Sequence, residues 1–389
     1  MDDLKIYHLA GEVLGAITQD LNAGTYARLG GELSLYWSTD EVFGAFASSP
    51  GEINQPPVHS ITVHYKLVRQ VWRDAENFCN FLRNAPDGSD VDKLLTFYGG
   101  AKLPTCFDDE ECVQNLFVAA ITWVYFHEIG HLMQEHGVIR GQFGPQDGDA
   151  KRTTELYDLQ ASKDKLVVGR EALVSHVTEL AADFEATHFY VAELIRHARD
   201  HNFVDEKARN EVVSGLLYLM VSGLSLVFFR FNGKQPILPT PVVEGSHPKP
   251  LIRLEFIVPQ IFEALDGRLA RALAGHELDR EQLVSLCTQA ASAATVFWTM
   301  TETENLELDN RFMLKGLLTD SIVLRYLQPI VETWNEMLPT VKQLRHFGSP
   351  RGLMTFTAEF EERIFKVIPW GSGPEAATCA CSPPDVRDL

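Results

Sequence analysis

The chain has 389 residues, of which 45% are hydrophobic and 22% charged, a composition typical of globular proteins rather than disordered ones. Its formal net charge of −19 argues against a nucleic-acid-binding protein, which needs a basic face, and against docking on anionic lipid by charge alone. Six scattered cysteines without a CxxC pair, and a beginning "MDDLKIYHLAGEV" without an apolar core, predict free thiols, no signal peptide and a cytoplasmic location.

The N-terminal part predicts a small sheet. "ELSLYW" (32–37) alternates like a strand, and "SITVHYKL" (60–67) alternates better, with four residues on one face: Ile61, Val63, Tyr65 and Leu67. A helix is predicted over 68–83, and the turn-rich "NAPDGSD" ends it.

The middle of the chain predicts long helices. "ECVQNLFVAAITWVYFHEIGHLMQEHG" is helical by length, with Gly137 as a plausible C-cap. Residues 138–170 are polar and are interpreted as a loop or a small insertion, and a long helix is predicted over 172–201. The stretch 212–229 has 18 uncharged residues, at the lower limit for a membrane span. Its Ser and Gly content suits close helix packing, so it is interpreted as a buried core helix.

The C-terminal part is predicted to be helical over 254–345, after a Pro/Gly-rich loop over 232–250. The tail from Gly371 is rich in Pro, Gly and Ser and is predicted to be disordered. Together the elements predict an α+β, predominantly α fold. We expect a core over 1–250, a helical C-terminal region over 251–370 packed on it, and the disordered tail over 371–389.

The segment "WVYFHEIGHLMQEHG" carries two histidines and a glutamate in an otherwise apolar helix. His127 and His131 are four residues apart, so both imidazoles face one side of the helix and can reach one ion. Glu128 points to the flank, where it can take a proton from water without binding the ion. Neutral imidazole suits Zn²⁺, which lowers the pKa of its water to about 7. The segment therefore predicts a catalytic zinc site, although a solvated helix face can carry the same letters.

A catalytic zinc site usually has three protein ligands. Gly137 stands where metzincins have their third histidine, and His136 comes one residue too early and is expected to face elsewhere. Glu179 in "SHVTELAADFEATHF" is the favoured third ligand, with Asp183 one turn later to hold the other ring nitrogen of a ligand histidine. The two alanines between them would let the helices approach closely. Three rival ligands lie nearby in sequence: His176, Glu185 and His188.

Three short motifs together resemble a known group of enzymes. "HEIGH", "ELAAD" and "SHPKPLIRL" occur in the order of the HExxH, ExxAD and HPxxxxR motifs of gluzincin peptidases. The pattern is most similar to CAAX prenyl endopeptidases and HtpX-like proteases, with a looser resemblance to Lit-like phage-exclusion peptidases. The motifs cover a small fraction of the chain. The chain departs from the first group because members commonly have several membrane spans.

The resemblance implies a zinc-dependent endopeptidase with a zincin-like core. It implies that Glu128 is the general base and that three residues bind zinc: His127, His131 and Glu179. His247 and Arg253 of the HPxxxxR motif would stabilise the oxyanion or regulate the site. His247 would alternatively bind the zinc and block it.

The expected partner is a protein or peptide substrate, which would pair with a strand near the site, with "SITVHYKL" as the candidate. The alternative function is a catalytically silent zincin-fold protein that binds a partner protein through its helical C-terminal region. The intact Glu128 argues against this alternative, because a structural zinc site needs no base. Neither a nucleic acid nor a membrane is an expected partner.

Overall fold

The computed structural model describes residues 1–50, 55–86, 88–97, 99–100, 102–144, 153–157, 167–200, 205–233, 235, 237, 240–302, 320–346 and 352–366. The described chain is mostly helical with one small sheet, so the prediction of an α+β, predominantly α fold is confirmed at this level. In chain order the elements are α1 (Asp3–Leu21), a π-helical turn (Asn22–Tyr26), α2 (Ala27–Leu29), β1 (Glu32–Ser38), β2 (Gly44–Ser48), β3 (Val58–His64), α3 (Tyr65–Asn84), α4 (Asp90–Phe97), α5 (Asp109–Met133), α6 (His136–Phe143), β4 (Thr153–Tyr157), α7 (Gly169–Asp200), α8 (Glu206–Asn232), α9 (Pro250–Asp266), α10 (Arg268–Ala274), α11 (Arg280–Thr301), α12 (Ser321–Leu344) and α13 (Ala358–Lys366).

The sheet has the strand order β1-β3-β2-β4. β3 pairs with β1 in parallel and with β2 antiparallel, and β2 pairs antiparallel with β4. Both edges of β3 are therefore already occupied. The prediction that residues 60–67 offer a strand edge to a substrate is wrong for this reason, and the outer strands of the described sheet are β1 and β4.

The predicted strand over 60–67 is also too long at its C-terminal end. β3 ends at His64, and Tyr65 begins α3, whose buried side chains recur at helical spacing, as in Leu67, Val68 and Val71. The apolar residues before Tyr65 thus recur at every second position, as in a strand, and those after it recur at the spacing of a helix. The segment 138–170, interpreted as a loop or small insertion, contains most of α6 and all of β4.

α5 carries the HEIGH segment through the centre of the fold. It begins at a capping box, in which the Glu111 N–H donates to Asp108 Oδ1 at 2.9 Å and the Asp108 N–H donates to Glu111 Oε2 at 2.8 Å. It ends at Met133, and Glu135 beyond it is left-handed with φ 50°. The prediction of Gly137 as the C-cap is wrong, because Gly137 lies inside α6.

α5 and α7 pack closely because small residues face each other between them. A Cβ atom placed on Gly130 would lie 2.6 Å from the backbone oxygen of Ala182. α8 approaches α5 in a similar way, since a Cβ on Gly223 would lie 2.9 Å from the backbone oxygen of Leu116. Each glycine allows a backbone approach that any side chain would prevent. The close approach brings the HEIGH and ELAAD segments together.

The helices after residue 250 pack on this centre. α9 contacts α7, α8 and α11, and α12 contacts α6 and α7. The predicted disordered tail over 371–389 lies outside the described residues. Among the cysteines that the structure describes, Cys79, Cys106, Cys112 and Cys287 are free thiols.

Three of the described helices, α5, α8 and α11, are long and apolar enough to cross a membrane by length and composition. The sequence predicted only the stretch 212–229 as a candidate span. In the fold 89% of the apolar window of α5, 89% of that of α8 and 67% of that of α11 is buried. The stretch 212–229 is thus a buried helix in this structure, and the cytoplasmic location stays a prediction.

Candidate metal centre

Three side chains from α5 and α7 converge in the interior of the fold. His127 Nε2 lies 3.0 Å from His131 Nε2, and the Glu179 carboxylate lies beside both, at 3.2 Å from the first nitrogen and 3.3 Å from the second. Each of the three is only 1% exposed. One ligand atom from each lies within 4.8 Å of the others, so this buried group can hold a metal ion. The two helices place together the three ligands implied by the motifs.

Asp183 lies where the sequence predicted it, one turn after Glu179. Its Oδ1 is 2.8 Å from His127 Nδ1, so the ring N–H of that histidine donates to the carboxylate and Nε2 is the nitrogen that faces the cluster. Arg253 holds the same carboxylate by two hydrogen bonds, from Nε to Oδ2 at 2.7 Å and from Nη2 to Oδ1 at 2.5 Å. The guanidinium also lies over the ring of Phe228, at 4.1 Å from its centroid.

Arg253 is therefore buried and paired, not solvated at a helix start. The salt bridge with Asp183 positions His127, and the guanidinium Nη2 is 4.0 Å from Glu179 Oε2. This geometry supports a positioning role for Arg253. Its predicted action on the oxyanion stays a prediction.

The prediction that His136 faces away from the site is wrong, because its ring contacts His131. Its Nδ1 lies 2.9 Å from His131 Nδ1, and its Nε2 lies 3.4 Å from Gln134 Oε1. The Gln134 amide nitrogen donates to two backbone oxygens and to Glu185, which orients Oε1 as the acceptor toward His136. His136 therefore carries its proton on Nε2 and accepts from His131 on Nδ1, so His131 Nε2 presents its lone pair to the cluster.

Glu128 is the general base implied by the HExxH motif, and it is fully buried beside this cluster. Neither of its carboxylate oxygens forms a well-aligned hydrogen bond with the described residues, and the Ala47 backbone is only a weak partner. Burial raises the pKa of Glu128 well above its usual value, against the smaller opposing effects of His127 and of the nearby Ala47 backbone. A buried carboxyl without partners is costly, and such groups are found where function requires them.

The histidines of the cluster have opposite pKa shifts. Burial lowers the pKa of His127, but the carboxylates of Asp183 and Glu179 outweigh it and raise the value to about 9. Burial lowers the pKa of His131 to about 3. Burial alone would raise the pKa of Glu179, but the imidazoles around it hold that pKa well below its usual value. Without an ion, His127 thus carries a second ring proton, on Nε2, at neutral pH. A metal ion would displace this proton.

His247 enters the cluster from the segment before α9. Its Nε2 is buried and lies 3.5 Å from Glu179 Oε2, without a hydrogen bond, while its Nδ1 lies 2.8 Å from Ser246 Oγ. If Nδ1 accepts from the serine, Nε2–H faces the cluster as a donor. If Nδ1 donates, Nε2 has a lone pair for an ion. The two roles suggested for His247 thus correspond to its two tautomers.

Arg140 of α6 is a member of the site that sequence reasoning missed. Its Nη2 donates to Glu179 Oε1 at 2.8 Å, and its Nε donates to Thr178 Oγ1 at 2.7 Å. The guanidinium holds one carboxylate oxygen of Glu179 and leaves Oε2 turned to His127 and His247. Nothing in the sequence pointed to this residue, because it lies in a polar segment interpreted as a loop.

The rival ligands have other partners. His176 Nδ1 lies 2.7 Å from the Tyr326 hydroxyl, and Glu185 forms an ion pair of 2.6 Å with Arg345. His188 lies against the Phe184 ring. None of these three belongs to a group of described residues that could hold an ion.

The residues of the centre fit a metal of the zinc type by their donor chemistry. Two imidazole nitrogens that face the cluster, together with a carboxylate, form the donor set of catalytic zinc sites once the ion has displaced the proton on His127. Both histidines have their other ring nitrogen held by a hydrogen bond, as ligand histidines do. No protein-family model, curated protein or solved structure matches the chain.

Proposed function

We propose that the protein is a zinc-dependent endopeptidase with a zincin-like core. His127, His131 and Glu179 would hold Zn²⁺, and Glu128 would be the general base. The observation that carries this proposal is the fully buried Glu128, whose two oxygens form no well-aligned hydrogen bond, beside a His–His–Glu cluster. A structural metal site would not need such a group. The resemblance of "HEIGH", "ELAAD" and "SHPKPLIRL" to gluzincin motifs supports the same reaction.

Zn²⁺, when bound, would supply Lewis-acid chemistry by polarising a carbonyl oxygen and lowering the pKa of water. Glu128 would take a proton from the attacking water and pass it to the leaving amine. Burial raises the pKa of Glu128, which favours its acceptance of a proton from water. Asp183 and Arg253 would keep the His127 ring oriented, and His247 Nε2–H would donate to the oxyanion.

A catalytically silent protein with the same site is the second candidate. The observation that favours it is burial: Glu128 is 0% exposed and the three candidate ligands are 1% exposed. In this conformation the cluster presents almost no surface to a peptide bond. The helical region from Leu254 to Arg345 would then bind a partner protein.

The metal is tested first, by measuring the zinc content of the purified wild-type protein beside its Glu179→Ala variant. We expect the variant to contain about one zinc ion fewer per chain than the wild type, or to bind that ion much more weakly. Equal zinc content in both proteins would mean that Glu179 is not a ligand, and His247 would be the next residue to test.

Cleavage is tested with zinc-loaded protein on a proteome digest, by mass spectrometry of newly formed peptide N-termini. We expect the wild type to produce cleavages that Glu128→Gln does not produce. Glu110→Gln is the matched control, because Glu110 is an exposed glutamate at the start of the same helix. Identical cleavage by wild type and Glu128→Gln would refute the proteolytic mechanism. Zinc binding without any cleavage by the wild type would favour the silent protein.

A further inference from the structure

A second group of two histidines and a glutamate lies apart from the HEIGH centre. His59 comes from β3, Glu135 from the turn between α5 and α6, and His346 from the residues after α12. Glu135 Oε1 lies 2.7 Å from His346 Nε2 and 3.9 Å from His59 Nε2. His59 and Glu135 are buried, and the His346 side chain is 11% exposed. Three distant parts of the chain thus bring nitrogen and oxygen donors to one point.

The backbone holds these donors in place. Glu135 is the only non-glycine residue with a positive φ in the part of the chain that the structure describes. The left-handed turn there ends α5 and begins α6, with the Val138 and Ile139 N–H groups donating to the Glu135 backbone oxygen. The His346 N–H donates to the Met133 backbone oxygen at 3.0 Å, which fixes the end of α12 beside the end of α5.

Tyr26 gives His59 the environment of a ligand histidine. The buried Tyr26 hydroxyl lies 2.9 Å from His59 Nδ1. When Nδ1–H donates to this oxygen, Nε2 carries a lone pair toward Glu135. A histidine whose second ring nitrogen is held by an oxygen acceptor is the common arrangement around protein-bound metals.

We propose that His59, Glu135 and His346 form a second site for a divalent transition-metal ion, with zinc as the best fit. Two imidazoles and one carboxylate suit zinc and its neighbours, whereas Ca²⁺ and Mg²⁺ prefer oxygen ligands. Around a tetrahedral zinc with bonds of about 2.1 Å, neighbouring ligand atoms are about 3.4 Å apart. The observed 2.7 Å and 3.9 Å contacts lie on either side of that spacing, so small side-chain rotations accommodate the ion.

This second ion would tie β3, the end of the HEIGH helix and the chain after α12 together. It shares no residue with His127, His131 and Glu179. The two sites are nevertheless neighbours along the chain, because His136, which holds His131, directly follows Glu135. The second ion would thus brace the turn that orients one ligand of the first.

The experiment counts metal ions in protein that is stripped with a chelator and reloaded with zinc alone. Inductively coupled plasma mass spectrometry would give two zinc ions per wild-type chain, one for His127→Ala/His131→Ala, one for His346→Gln, and none for the triple variant. His8→Gln is the control, because His8 is an exposed histidine 3.2 Å from Glu12, and its variant should keep two.

A wild-type chain with one zinc, which is lost in His127→Ala/His131→Ala, would overturn the proposal and leave a buried ion pair only. Crystals of the zinc-loaded wild type provide a test that does not depend on how variants fold. Anomalous scattering at the zinc edge should show a peak within bonding distance of Glu135 and His346, and the absence of that peak overturns the proposal. Neither the zinc count nor the anomalous peak depends on proteolysis. Both therefore test the second site even if the protein cleaves no peptide bond.

Discussion

Replacing Gly130 by alanine is expected to push apart the two helices that carry the candidate metal ligands. The new Cβ would lie 2.6 Å from the Ala182 backbone oxygen and 3.0 Å from its Cα, whereas ordinary contact begins at 3.4 Å. The neighbour is backbone and cannot rotate away. α5 and α7 would therefore have to separate by about 0.8 Å at the point where His131 and Glu179 face each other.

Two opposing effects set the size of the change in stability. Alanine is favoured over glycine inside a helix by about 1 kcal/mol. Forcing an extra carbon into a well-packed contact costs about 1–3 kcal/mol. We expect a net loss of about 1 kcal/mol, measured by urea unfolding of the metal-free protein. We also expect weaker zinc binding in a competition titration with a chromophoric chelator, because the ligands sit on the displaced helices.

Gly11→Ala is the matched control for this experiment. Gly11 lies in α1, and a Cβ placed there has no atom within 4 Å. The same substitution should therefore stabilise the protein by about 0.5–1 kcal/mol and leave zinc binding unchanged. If Gly130→Ala were as stabilising as Gly11→Ala, with zinc affinity intact, the close packing of α5 on α7 would not determine the site geometry.

Three further outcomes are expected. Asp183→Asn would remove the carboxylate that the buried Arg253 bonds directly, which costs about 3–5 kcal/mol in urea unfolding. It would also weaken zinc binding about 10–100-fold, and unchanged values would contradict the positioning role. Asp108→Ala would remove the capping box of α5 and lower the free energy of unfolding by about 0.5–2 kcal/mol. The zinc count should not change, and a lost ion would show that the cap also shapes the site. Zinc at about 1,000 times its Kd should stabilise the wild type by about 4 kcal/mol and Glu179→Ala by less in thermal unfolding; an equal gain in both would argue against Glu179 as a ligand.

The sequence determined the parts of the site that depend on neighbours along one helix. His127 and His131 face one side of α5, and Glu179 and Asp183 one side of α7, because four residues make about one helical turn. The predominantly α fold, the strand β1 and most of the long helices followed from local hydrophobic patterns in the same way. These features need no knowledge of what packs against them.

Only the tertiary structure decided which distant residues meet. Arg140 reaches Glu179 across 39 positions of the chain, and His136 reaches Gln134 and His131 only because the left-handed Glu135 turns the chain back. The central position of β3 depends on its pairing with β1 and β2, which no pattern within residues 60–67 reveals. The meeting of His59, Glu135 and His346 depends likewise on how β3, α5 and α12 pack. Such contacts are set by the burial of whole faces of helices and strands, and the spacing of residues along the chain does not predict them.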